Sequence, residues 1–201
     1  MISEDVITLF NRKDFERIVK DFSVEKVVDD LKFADSLRLS YRLLYNTKWD
    51  EDLQKYAIQL IVAVKSRFIH EWKQDWRLEA YLGTAYDVVL GEDSNYDRRY
   101  EAFKRAFEMV KSPPPELIIA LASCFDAPGV PPLSYDEAIV LAKKSFEIEP
   151  YSDAAGILCS AYFCKGVEEE SKHWGKIRDA LSEIGKRAPP LEPEFIREGY
   201  K

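Results

Sequence analysis

The residue types that most often catalyse reactions or bind metals are sparse in this chain and lack a recognisable spacing. Neither of its two histidines, His70 and His173, belongs to the HExxH pattern that places two ligands on one helix face. The sequence also contains no CxxC pair, no Gly-rich phosphate loop and no GxSxG nucleophile turn. We therefore predict that the protein is not an enzyme, has no catalytic residues, and has no metal site or cofactor.

The remaining reactive residue types have structural interpretations. Cys124, Cys159 and Cys164 each lie in an apolar segment with helical spacing, and their odd number indicates small buried thiols in a reducing compartment. Three consecutive glutamates at 168–170 suit the first turn of a helix, where negative charge complements the helix dipole. Both histidines are interpreted as surface or capping residues.

Composition and charge exclude several classes of protein. The 201 residues carry a formal net charge of −7, and the acidic excess is spread along the chain, so no basic face for nucleic acid is expected. No apolar run approaches the roughly 20 residues that span a bilayer. The first ten residues, MISEDVITLF, lack the positive charge of a signal peptide. We expect a cytoplasmic protein that binds no nucleic acid and does not insert into membranes.

Apolar residues recur at helical spacing along most of the chain, and no strand alternation is visible, which predicts an all-α fold. The spacing predicts one helix over 6–19 and a longer one over 24–44. Ser134 and Glu137 form a capping box at the start of a later helix. Prolines at 113–115 are expected to end an earlier helix, and Pro150 the capped helix itself.

Two stretches of the chain are similar to each other. Residues 100–114 align with residues 136–150, and each stretch has alanine at its third and seventh positions and proline at its end. The alanines are Ala102 and Ala106 in the first copy and Ala138 and Ala142 in the second. A repeated helical segment of this kind predicts stacked helical units.

These segments resemble the tetratricopeptide repeat (TPR) family, whose unit is a helix pair of about 34 residues. Leu82-Gly83 with Tyr86, and Leu121-Ala122 with Phe125, match the family's first helix, and Ala138 and Pro150 match the second. The resemblance is strongest over 76–150, although Glu79 and Ile118 occupy the family's tryptophan position. It implies antiparallel helix pairs stacked as a short right-handed TPR-like solenoid.

Three regions are predicted on this basis. Residues 1–48 form N-terminal helices that pack on or cap the stack, residues 49–187 form TPR-like repeats, and residues 188–201 form an extended tail with a last turn near 194–198. Phe68, Trp72 and Trp76 fall on one face if the helix there is continuous. Such a stripe packs in the core or forms an exposed platform for a partner.

The resemblance also implies a function, because the family binds peptides in a groove lined by the first helix of each pair. The positions expected to face that groove are Arg77, Thr84, Asp87, Glu116, Ser123, Asp126 and Tyr162. Acids slightly outnumber bases among them, which favours a basic or amphipathic ligand. We therefore predict a non-catalytic adaptor or scaffold that binds a protein or peptide. A dedicated chaperone or neutralising partner of one protein, and a structural subunit of a homo-oligomer or larger assembly, remain alternatives.

Overall fold

The computed structural model describes residues 5–46, 48–89, 94–126 and 131–198. Within these ranges all regular structure is helical and no residue lies in a β-strand, which confirms the all-α prediction. In the same ranges, no helix has both the length and the apolar composition that crossing a membrane requires. The chain divides into two compact units, Met1–Gly91 with Glu192–Lys201, and Glu92–Leu191. We call these the first unit and the second unit.

The first unit is built around one long helix. Its consecutive helices are α1 (Val6–Asn11), α2 (Phe15–Asp21), α3 (Val24–Asp30), α4 (Phe33–Leu44), α5 (Glu51–Arg67), α6 (Ile69–Trp72) and α7 (Trp76–Val88). Helix α5 lies at the centre, and α3, α4 and α7 pack against it. Leu37 and Leu43 of α4 and Leu60 and Ile61 of α5 are inaccessible to solvent or nearly so. Burial of these apolar side chains is the main stabilising contribution of the unit.

The helix predicted over 6–19 is interrupted, so that prediction is wrong. Lys13 follows α1 with a φ of 60°, in the left-handed region that usually needs glycine. The N–H of Lys13 donates to the carbonyl oxygen of Phe10 and that of Asp14 to Leu9, both at 3.0 Å. This is a Schellman motif with lysine in the glycine position. The sequence therefore lacks the residue that ordinarily marks such a helix end.

The helix predicted over 24–44 is also two helices, α3 and α4. Leu31 and Lys32 both adopt extended backbone between them, with ψ values of 150° and 159°. Two aspartates, Asp29 and Asp30, stand at the end of α3, where negative charge opposes the helix dipole. The Leu31 side chain is buried. The end charge disfavours extension of α3, and Leu31 stays in the core with its backbone extended.

The aromatic stripe predicted as one possibility for Phe68, Trp72 and Trp76 does not form, because the helix is not continuous. Helix α5 ends at Arg67, and α6 and α7 are separate. The Trp72 side chain is 1% exposed, and its Nε1 donates to Glu79 Oε1 at 3.0 Å. Lys65 Nζ lies 2.5 Å from the same carboxylate oxygen. Trp72 is therefore a core residue that joins α5, α6 and α7.

The second unit is a series of antiparallel helices. They are α8 (Ser94–Glu108), α9 (Pro115–Ala122), α10 (Tyr135–Ile148), α11 (Ser152–Cys164) and α12 (Glu168–Glu183), with a 3-10 turn, Ser123–Phe125, continuing α9. Each helix packs against the next one along the chain. The repeated alanines Ala102, Ala106, Ala138 and Ala142 have no exposed surface. Small side chains at these places allow neighbouring helices to approach, and this packing confirms the predicted TPR-like helical repeat.

The end of the chain belongs to the first unit. Helix α13 (Glu194–Arg197) packs against α4, and its Ile196 side chain is buried. Arg38 of α4 donates from Nε to the Phe195 carbonyl oxygen at 3.0 Å and from Nη2 to Glu198 Oε2 at 2.8 Å. The turn predicted near 194–198 is present, whereas the division into three regions stays a prediction.

Helix α10 begins at the capping box that the sequence predicts. The Ser134 hydroxyl accepts from the Glu137 N–H at 3.3 Å, and Glu137 Oε2 accepts from the Ser134 N–H at 2.9 Å. Hydrogen bonds from the hydroxyl and the N–H of Ser134 favour the charged carboxylate and lower the pKa of Glu137. The start of α10 is thus coupled to the ionisation of one glutamate.

Substitution of Ser134 by alanine is expected to lower the free energy of unfolding by about 1 kcal/mol at neutral pH. The pKa of Glu137 should rise towards its ordinary value in an NMR titration. A carboxylate with a lowered pKa stabilises the fold above its unfolded pKa, and that contribution is lost as the pH falls through the folded value. The difference in the free energy of unfolding between wild type and Ser134→Ala, measured by urea denaturation, should therefore be smaller at acid pH. Ser134→Thr, which keeps the hydroxyl, is the matched control, and equal stability of wild type and Ser134→Ala at neutral pH would contradict the expectation.

Candidate functional site

An open cleft lies in the second unit between α9 with its 3-10 turn and α11. These are the first helices of two successive pairs, α9 with α10 and α11 with α12, and they contact each other directly. The cleft has a volume of about 320 Å³. It is lined by Ile119, Ser123, Phe125, Asp126, Asp153, Gly156, Ile157 and Ser160.

The cleft has apolar surface on both sides, and its α11 side is lined by small residues. Ile119 contributes from α9 and Ile157 from α11, while Gly156 and Ser160 present little or no side chain. The Phe125 ring is buried and packs edge-on to the Tyr135 ring, with 5.9 Å between centroids. The start of α10 thereby fixes one wall. Such a surface can take up apolar side chains and lets an extended backbone approach α11 closely.

Helix α8 positions the 3-10 turn from behind. Arg99 is buried, and its Nη2 donates to the Ser123 carbonyl oxygen at 3.0 Å. The Ser123 hydroxyl donates to the Ala120 carbonyl oxygen at 2.7 Å. The 3-10 turn is therefore held by one hydrogen bond from α8 and one to α9. Asp126 follows it directly and is exposed at the edge of the cleft.

The segment after α12 positions the opposite side. The Ser152 N–H donates to the Lys186 carbonyl oxygen at 2.8 Å, and the Ala188 N–H donates to Asp153 Oδ2 at 2.9 Å. Gly185, with a φ of 70°, makes the turn that brings this segment back to α11. The first turn of α11 is therefore anchored, and the Asp153 carboxylate is oriented by a backbone N–H.

The lining of the cleft carries negative charge and no positive charge. Asp126 and Asp153 line the cleft, and no Lys, Arg or His does. Across the described ranges, neither carboxylate forms an ion pair. The methylene groups of Arg178 on α12 lie beside Gly156, but the Arg178 Nε donates to Asp179 at 2.8 Å. Both cleft carboxylates are thus available to an external partner.

Two of the four groove positions predicted in the second unit line this cleft, Ser123 and Asp126. Glu116 is half-buried in the first turn of α9 and is not part of the lining. Tyr162 is half-buried on α11, where the Lys143 ammonium lies 5.6 Å from its ring centroid. Tyr162 therefore faces α10.

The three groove positions predicted in the first unit all lie on α7. Arg77 is bound to Asp75, with Nη2 to Oδ2 at 2.7 Å, at the start of the helix. The Thr84 hydroxyl donates to the Ala80 carbonyl oxygen at 3.1 Å and is half-buried. Asp87 is exposed in the last turn. A role for these three residues stays a prediction.

The residues that line the cleft from α11 were not predicted from the sequence. None of Asp153, Gly156, Ile157 and Ser160 was predicted, because the resemblance to the repeat family is strongest over 76–150 and gives no clear register beyond Pro150. The four residues are nevertheless spaced by three, one and three positions, as one face of a helix requires. A helical count started at Asp153 would have found them.

The residues that could bind metals or act as nucleophiles do not converge. No group of three or more His, Cys, Asp or Glu side chains that could hold a metal occurs among the described residues. His70 and His173 are exposed, as predicted. Cys124 is buried, but Cys164 is exposed, so the prediction of buried thiols is wrong there. It is the last residue of α11, where the helix end meets solvent.

Comparison with known proteins indicates the fold. No protein-family model and no curated protein matches this sequence. A crystal structure of MamA aligns with a TM-score of 0.62 and 19% identity, and covers 92% of this chain and 98% of that chain. A second structure, MamA MSR-1 C2, aligns with a TM-score of 0.59 and 16% identity over 90% of this chain and 99% of its own. The chain therefore has the all-α, TPR-like fold of these structures.

Proposed function

We propose that the chain is a non-catalytic interaction module that binds a peptide or protein segment in the cleft of the second unit. The observation that carries this proposal is the cleft between two successive first helices, with apolar walls and polar groups at its edges. Segments that bind helical repeats use the same combination, in which apolar contact supplies affinity and a few polar groups fix register. The odd number of cysteines suits a reducing compartment, so the proposal includes a cytoplasmic location.

The anchored edges of the cleft support a role in binding. Arg99 holds one edge and the Ala188 N–H the other, so the surface is formed before a ligand arrives. A preformed surface loses less conformational entropy on binding. The cleft lining contains no histidine, lysine or cysteine that could act as a base or nucleophile.

Site-specific cross-linking in cells tests this proposal. The photo-reactive residue p-benzoylphenylalanine replaces Ser160 in the cleft or, as the control, Glu147 on the exposed side of α10. A protein cross-linked at position 160 and absent at position 147 would support the proposal. A second copy of this chain cross-linked at position 160 would favour the structural-subunit alternative. One partner captured in stoichiometric amount would favour the dedicated chaperone, and no product at position 160 would contradict the proposal.

A further inference from the structure

We infer that the cleft of the second unit selects a cationic peptide segment, in which Lys or Arg side chains accompany apolar residues. This inference rests on the proposed function and names the chemistry of its ligand. It follows from the distribution of charge and apolar surface within the cleft.

The two cleft carboxylates lie on opposite sides. Asp126 follows the 3-10 turn that continues α9, and Asp153 lies in the first turn of α11. The Asp153 carboxylate is oriented by the Ala188 N–H at 2.9 Å. A chain lying between the two helices therefore passes between two negative charges. Ligand cations facing them would form charge-assisted hydrogen bonds, which are stronger than neutral ones.

The apolar walls set the second requirement. Ile119 and Ile157 face the cleft from its two helices, and the Phe125 ring adds to one side. A purely hydrophilic basic segment would leave this surface without a partner. An apolar ligand residue would cover it, exclude water, and strengthen the ion pairs beside it. The fitting segment therefore combines basic and apolar side chains.

Acidic ligands are disfavoured by the same geometry. The lining contains no base to receive a carboxylate, and two basic side chains beside it, Arg99 and Arg178, donate to the Ser123 carbonyl oxygen and to Asp179. Like charges brought together at an interface are repulsive, which excludes wrong partners. The formal net charge of −7 also attracts cationic segments over longer distances. Both effects select the same class of ligand.

Selection from a random peptide library tests the inference. A phage-displayed library of short random peptides is panned on the full chain, and enriched peptides are labelled with fluorescein for anisotropy measurements. The test variant is Asp126→Asn with Asp153→Asn, in which the side-chain amide oxygen introduced at position 153 can still accept from the Ala188 N–H. The control is Glu147→Gln with Glu169→Gln, which removes the same charge from exposed positions outside the cleft.

The enriched peptides should carry Lys or Arg beside apolar residues and lose about tenfold or more in affinity with the test variant. The control variant should bind like wild type, and added salt should weaken binding. Enriched peptides without basic residues, or equal affinity for the test variant, would overturn the inference and leave the proposed function standing. A library from which no peptide is enriched would contradict both.

Discussion

Replacement of Glu79 by alanine should lower the free energy of unfolding of the first unit by about 3 kcal/mol. The Glu79 side chain is 6% exposed and receives both the Lys65 ammonium and the Trp72 Nε1–H. Its removal leaves a largely buried cation and a buried donor without their acceptor. Losing one partner of a buried pair is costly because the other charge stays desolvated. Urea denaturation followed by tryptophan fluorescence measures the change, since Trp72 lies at the site.

Two further variants distinguish the loss of the buried Glu79–Lys65 pair from the loss of an exposed pair and from the removal of both charges. Glu51→Ala breaks an exposed pair with Lys55, whose atoms are 3.0 Å apart, and should cost no more than about 0.5 kcal/mol. Glu79→Leu combined with Lys65→Met removes both charges and should recover part of the loss. If Glu79→Ala were as stable as Glu51→Ala, the buried Glu79–Lys65 pair would not stabilise the first unit more than an exposed pair does.

Enlargement of Ala138 to leucine should destabilise the second unit by about 2 kcal/mol. Ala138 has no exposed surface and lies on α10, which packs against α9 and α11. A larger side chain at a closed position forces helices apart or side chains out of their rotamers. The cleft lies between the two helices that α10 supports, so peptide affinity should fall as well. Circular dichroism during urea denaturation measures the stability change.

The matched control lies two residues along the same helix. Val140 is 66% exposed, and Val140→Leu adds volume where solvent can give way. This substitution should change the free energy of unfolding by no more than about 0.5 kcal/mol. Equal effects of the two substitutions would mean that the small residue at 138 does not determine helix packing, contrary to the repeat interpretation.

Local signals in the sequence account for most of the fold. The Ser134–Glu137 capping box, the prolines at the start of α9 and after α10, and the repeated alanines each act within a few residues. They can therefore be identified without knowledge of the rest of the molecule. Helical spacing alone predicts the all-α class.

The features that could not be predicted depend on distant contacts or on exceptions to local rules. Lys13 ends α1 in a conformation that normally signals glycine, so its residue type gives no warning. Helix α3 ends at Leu31 although the type and spacing of this residue fit a continuing helix. The position of α13 on α4 depends on Arg38, more than 150 residues earlier in the chain.

The candidate site was predictable on one side only. Ser123 and Asp126 follow a segment that matches the repeat pattern, so counting along it reached positions that line the cleft. The α11 side has no matching Gly and Tyr landmarks in register, and a shift of one residue rotates a helix by about 100°. Register errors of that size move every predicted contact to another face.

An NMR titration of the full, isotope-labelled chain with a peptide from the selected library tests most directly whether peptides bind in the cleft of the second unit. We expect the perturbed amide signals to come from α9 with its 3-10 turn and from α11, centred on Ile119, Ser123, Gly156 and Ser160. Perturbations confined to α12, to the exposed side of α10, or to the first unit would contradict this expectation.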